Sequence, residues 1–195
     1  ARLERRSPAK LVHTFHGHVF HGYFGPVRSA AMVLMERLLS AWTDAVVTVS
    51  PAQRREILRY RVGPPGRVYS IPLGLRLERF RGCDPLAGQF RAEIGVGPDA
   101  PLVGLVARLV PIKGVKVFLG AAALVLKRLP EARFAIVGDG ELRGDLEAEA
   151  RRLGIGEAVH FTGYRRDADR IYASLDLFAL SSFNEGLLVL GVVVL

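Results

Sequence analysis

The chain has 195 residues, 50% of them hydrophobic, and 27 basic against 19 acidic side chains leave a net charge of +8. That is enough apolar material for a buried core, in one large domain or two small ones. The basic residues fall in scattered short clusters such as Arg54-Arg55 and Arg165-Arg166, without the interleaved aromatics of a base-stacking strip, which argues against nucleic-acid binding.

No apolar run approaches the roughly 20 residues of a membrane span. The single cysteine, Cys83, leaves no internal disulfide, which fits a reducing compartment and a cytoplasmic protein. The chain opens on Ala and not Met, so any targeting segment is expected upstream and the sequence reads as a piece of a longer protein.

In chain order, residues 27–42 place Ala31, Leu34, Met35, Leu38 and Leu39 at helical spacing, predicting an amphipathic helix packed on a sheet. "AVVTVS" follows as a buried strand. Ser50-Pro51-Ala52-Gln53 carries a capping-box pattern with Pro at the first helical position, predicting a helix from Ser50 towards Tyr60. "RVYSIP" is the next strand, stopped by Pro72. Between Leu73 and Pro101 the pattern gives way to Gly, Pro and charge, which sets a boundary between two lobes. The expected division is a first lobe over 1–75, a linker over 76–100 and a second lobe over 101–195.

Beyond the boundary the alternation is cleaner. "PLVGLVARL", "RFAIVG", "AVHFTG" and "DLFAL" read as strands, separated by helices over 115–129, 141–153 and 167–174. Helices of that length between strands imply right-handed crossovers, parallel pairing and an open α/β sheet with helices on both faces. Ligands of such sheets bind outside the carboxyl ends of the strands.

Polar clusters stand at those ends. In "VARLVPIKG", Arg108 and Lys113 flank the loop leaving the first strand of the second lobe, where the next helix begins. Two cations beside a helix amino terminus suit a diphosphate, although solvated loop cations are the plainer reading. In "VGDGELRGDL", Gly138 and Gly140 bracket Asp139; the turn permits close approach of a ligand, or is only tight. "SSFNEGLLVL" places Glu185 at the same rim, able to bond sugar hydroxyls or to balance the cations, or simply a first-turn acid favoured by the helix dipole. His13, His16, His18 and His21 are dense, but their spacing completes no zinc site, and no metal is expected.

These motifs stand in a fixed order: a strand ending in Arg, Pro-x-Lys-Gly, "IVGDGELRGDL", "VHFTGYR", then a Ser-rich strand end with Glu-Gly-Leu. The ordered set resembles the retaining GT-B glycosyltransferases of the glycogen-synthase-like family four. "LVHTFHGHVFHGYF", "VTVSPAQRREIL" and "VYSIPLGLRLERF" are similar to that family's late first-lobe strand, its interdomain helix and its hinge approach. The resemblance implies two Rossmann-like parallel-sheet lobes, both incomplete here. It also implies a UDP- or GDP-sugar donor on the second lobe, a sugar or lipid-linked acceptor on the first, and no further cofactor. By the same resemblance Arg108 and Lys113 hold the diphosphate, Glu185 contacts the donor sugar, Gly138 and the backbone at Tyr164 and Arg165 lie near the nucleotide, and His16 is the cleft histidine.

Departures from the family pattern are equally specific. Val193 replaces the second acid of the signature, Arg76 stands for a hinge acid, and Ala107 stands for a frequent Gly. The expectation is therefore a partial or inactive chain of a glycosyltransferase, with a non-catalytic nucleotide- or anion-binding module as the alternative. A basic face near Arg2, Arg5, Arg6 and Lys10 would suit peripheral contact with a membrane.

Overall fold

The computed structural model describes residues 9–17, 25–74, 78–80, 82–183 and 193–194. They fall into two compact units, one ending at Gly74 and the other beginning at Leu75.

The first unit is a three-stranded parallel sheet in the order β1 (Val12–Phe15), β2 (Ala45–Thr48), β3 (Val68–Ser70). The connecting helices are α1 (Pro26–Trp42) and α2 (Pro51–Arg59). Both crossovers step the same way along the sheet, so right-handedness puts both helices on one face. Phe15, Val46 and Val68 pack there with Val33 of α1 and Ile57 of α2. On the other face Val12 and Tyr69 stay half exposed. The Ser50 hydroxyl accepts the Gln53 amide at 3.1 Å, the cap expected at the start of α2. The Gln53 side chain reaches one residue further back than a capping box requires, to the Val49 amide at 2.9 Å.

The apolar stripe of α1 does not pack as expected. Leu34, Met35, Leu38 and Leu39 are 57, 44, 58 and 43% exposed, whereas Ser29, Val33 and Ser40 are buried. Val33 is the residue of α1 that joins the core cluster of the sheet, Ser40 lies over Gly63, and Arg37 ties the helix to the end of α2 by donating to the Tyr60 carbonyl at 2.6 Å.

The second unit is a five-stranded sheet in the order β6 (Val159–Gly163), β5 (Arg133–Val137), β4 (Leu102–Val106), β7 (Leu177–Phe178), β8 (Val193–Val194). The first four are parallel. Short β8 runs antiparallel to β7, a departure from the all-parallel pattern expected from the helix spacing. Helices α4 (Val115–Leu126) and α5 (Arg143–Arg152) pack on Leu105, Phe134 and Ile136. Helix α6 (Ala168–Ser174) packs on the opposite face through Ile171, against Leu102, Ala135 and Val137. Alternation along β5, with Phe134 and Ile136 on one side and Ala135 and Val137 on the other, is what a strand buried on both faces requires.

Residues 76–100, read as a linker, behave differently where they are described. Helix α3 (Gln89–Glu93) is part of the second unit, with Phe90 fully buried beside Ile171, Leu175 and Phe178. Glycine and proline mark the absence of regular structure there, but a segment without regular structure can still be packed.

Strand order positions the site. The chain enters at β4, winds outward through β5 to β6, then crosses back to β7 on the other side of β4. The reversal falls between β4 and β7, and open α/β sheets place their ligand crevice at the carboxyl end of such a switch point.

Candidate functional site

Arg108 emerges at that switch point. β4 ends at Val106, and the backbone beyond it is stitched to the next strand end: the Ala107 amide donates to Val137 O at 3.0 Å and the Leu109 amide to Asp139 O at 2.9 Å. Leu109 is buried and anchors the loop, while Arg108 between the two bonds is exposed. Its guanidinium makes no ion pair or hydrogen bond among the described residues.

A turn over Pro111–Lys113 then leads into α4 through Gly114, at φ 60°. The first amides of a helix have no intrahelical acceptor and carry the positive end of its dipole. Half-buried Lys113 stands beside them. Two cations and a helix amino terminus thus share one loop, the arrangement that suits a diphosphate.

The glycine pair of the second motif supports this loop. A Cβ on Gly138 would overlap the Ala107 carbonyl oxygen, and one on Gly140 would overlap the backbone of Leu109. Gly138 also adopts φ 136°, closed to most side chains. The close approach these glycines permit in the structure is therefore between two strand-end loops, a role that turn composition alone does not distinguish from ligand contact.

After β7 the segment 181–183 returns to the same loop. The Ser181 hydroxyl donates to Lys113 O at 3.1 Å and the Phe183 amide donates to Ile112 O at 2.9 Å. Glu185 lies outside the described residues, as do His18, His21 and Arg76.

At the end of β6, Gly163 accepts the Gly138 amide at 2.8 Å, and Tyr164 follows with 72% of its surface exposed. The Arg165 guanidinium is held by Glu93 and Asp167 and lies 5.4 Å over the Phe90 ring. Those hydrogen bonds raise its pKa further and hold both carboxyls below their usual range. This leaves the backbone, and not the side chain, of Arg165 for a ligand. His16, exposed in the first unit, directly follows the carboxyl end of β1.

Sequence reading missed Arg143. Its Nε donates to Glu147 at 2.9 Å, another of its nitrogens lies 3.8 Å from Asp139, and it reaches Phe161 O at 3.4 Å, so it braces the exits of β5 and β6. The signal was the i,i+4 pair of Arg143 and Glu147 in "RGDLE". At the opposite, amino-terminal ends of β5 and β6 there is a shallow hollow of about 300 Å³ bounded by Leu126, Arg133 and Glu157.

Comparison with known proteins bears on family and fold. Residues 100–195 match the family model described as Glycosyl transferases group 1, and residues 1–79 match Glycosyltransferase Family 4. The chain is 31% identical over 193 residues to EpsD of Bacillus subtilis (strain 168), named as a glycosyltransferase, covering 96% of this chain and 49% of the relative. It is 30% identical over 187 residues to the GDP-mannose-dependent alpha-(1-6)-phosphatidylinositol monomannoside mannosyltransferase of Mycolicibacterium smegmatis, covering 94 and 47% of the two chains. Anabaena HepE, solved in complex with UDP and glucose, superposes with a TM-score of 0.74 at 24% identity over 89% of this chain and 46% of that one. Sucrose-phosphate synthase from Thermosynechococcus elongatus gives 0.74 at 22% identity over 91 and 46%. The structural likenesses speak to fold. The chain spans about half the length of the curated relatives it matches.

Proposed function

The chain belongs to the group 1 glycosyltransferases of the GT-B fold, and on that premise we propose that its second unit binds a nucleotide-sugar donor, for transfer of the sugar to an acceptor with retention of configuration. The observation that carries this reading is the placing of Arg108 and Lys113 on one loop, at the switch point of the sheet and the amino terminus of α4. Each cation offsets charge on the donor diphosphate. Their effect grows as the leaving nucleotide takes up negative charge, and cations fixed in a loop need no reorganisation to provide it.

In this reading Glu185 bonds the donor sugar, His16 faces the transferred sugar or its phosphate, and the backbone at Gly138, Tyr164 and Arg165 borders the nucleotide. The donor is a UDP- or GDP-sugar, the classes named for HepE and the mycobacterial relative. The acceptor is a sugar or a lipid-linked sugar. Peripheral contact with an anionic membrane, through Lys10 and the basic residues before it, belongs to the same reading. Co-sedimentation with anionic liposomes that is lost at raised salt supports that contact, and no sedimentation at low salt removes it. Val193, whose backbone lies in an antiparallel edge strand, favours a second reading, in which this chain is partial and binds nucleotide without turnover.

The test is calorimetric titration of the chain with UDP and GDP. A charge-assisted hydrogen bond is worth about 1.5–3 kcal/mol, so Lys113→Ala and Arg108→Ala should each weaken binding by about 10- to 100-fold. If the folded chain binds neither nucleotide, the donor-site reading fails.

A further inference from the structure

Ser181 opens the motif that carries Glu185 but is itself uncharged, and it sits at the junction of two strand-end loops. Its hydroxyl donates to Lys113 O at 3.1 Å. Its own carbonyl oxygen occupies the space that a Cβ on Gly114 would need, so only glycine fits there with the loops at this separation. Two residues on, the Phe183 amide closes a second bond, to Ile112 O at 2.9 Å. The loop bearing Lys113 is therefore held from outside its own segment, through contacts that span 68 positions in sequence.

We infer that Ser181 is a positioning residue for Lys113, fixing the peptide from which the lysine side chain departs and so the place its ammonium can reach. The inference rests on the diphosphate reading of this loop. The local backbone leaves the lysine under-determined. Gly114, at φ 60°, is a swivel between the turn and α4, and the Pro111–Lys113 turn closes on itself through local backbone bonds, Lys113 N to Val110 O and Gly114 N to Pro111 O, each 3.1 Å. The Ser181 hydroxyl and the Phe183 amide supply the outside constraint. Groups that stabilise charge work by being held in place before the charge appears, so the support of a cation matters along with the cation.

The experiment is a double-mutant cycle on UDP and GDP affinity with Ser181→Ala, Lys113→Ala and the pair, each checked for an unchanged circular dichroism spectrum. Loss of one neutral hydrogen bond predicts roughly three- to tenfold weaker binding for Ser181→Ala. In the Lys113→Ala background the same change should have no further effect, because there is no ammonium left to place. Ser181→Thr retains the hydroxyl and should bind as the parent does, which keeps the test open if the alanine variant folds poorly. Unchanged affinity in Ser181→Ala, or the same loss with and without Lys113, would overturn the inference while leaving the diphosphate reading intact. Absence of nucleotide binding by the parent chain would instead remove that reading and this one together.

Discussion

Arg91 and Asp176, 85 positions apart, form a 2.5 Å ion pair whose carboxylate oxygen also accepts the Leu102 amide at 2.7 Å. The same guanidinium donates to Ser174 O at 2.8 Å, Ala100 O at 2.6 Å and Gly97 O at 3.3 Å. One side chain thus gathers α3, the loop before β4 and the turn before β7. Arg91 is 9% exposed but Asp176 is 57% exposed, so much of the value lies in satisfying carbonyls and less in the charge pair. Arg91→Ala should cost about 2–4 kcal/mol, read as a lower urea midpoint at unchanged slope. Asp176→Asn keeps an acceptor for Leu102 and should cost about 1 kcal/mol. Equal losses in the two variants would assign the effect to the carboxylate instead.

Two glycines of the second unit should respond in opposite directions. Gly138 has φ 136° and no room for a Cβ beside the Ala107 carbonyl, so Gly138→Ala must part the two strand-end loops, at a cost of about 2–4 kcal/mol. Gly120 lies within α4 with nothing within 4 Å of the added carbon. Gly120→Ala should stabilise by about 0.5–1 kcal/mol. Thermal unfolding of both variants decides it; destabilisation by Gly120→Ala would mean that α4 needs flexibility its contacts do not reveal.

What could be read from the chain was the local part. Leu102–Val106, Arg133–Val137 and the Ser50 cap follow from apolar runs and one hydroxyl acting within a few residues. That Arg108 and Lys113 share one strand-end loop was legible for the same reason, since five positions of sequence decide it, although solvated loop cations were the plainer reading of the pair. The rest depends on distant partners. Nothing near Arg91 announces Asp176, and Ser181 gains its interest only from lying against Lys113. The stripe on α1 shows the limit of periodicity. Leu34 and Leu38 do share a face, as their spacing requires, but spacing does not say what that face meets, and it is Val33 that packs on the sheet.

Arg165 should act as a structural hub at the exit of β6. It ties Glu93 of α3 to Asp167 at the start of α6 while its guanidinium covers Phe90. Solvent around Glu93 weakens the pair, so Arg165→Ala should lower the melting temperature by a modest amount, about 2–6 °C. Arg165→Lys should restore little of it, because one ammonium cannot serve two carboxylates in the same forked geometry. Full recovery by lysine would mean that charge alone matters here.

His160 gives the second unit a pH dependence of definite sign. It lies on edge strand β6 opposite Ala135, and its Nε2 is buried without a hydrogen-bond partner among the described residues. Burial, then the charge of Arg133, holds its pKa below the ordinary value. The fold therefore favours neutral imidazole, whereas the unfolded chain takes up a proton near pH 6.5. Its contribution to stability is fully present above that pH and is lost as pH falls through the unfolded value towards the depressed folded one. Between pH 7 and 5 the parent chain should lose stability faster than His160→Gln, by at most about 1.4 kcal/mol per pH unit, the limit for one proton. Urea midpoints across that range make the comparison, and parallel curves would show that His160 titrates alike in both states, so that burial in β6 exerts no hold on its proton.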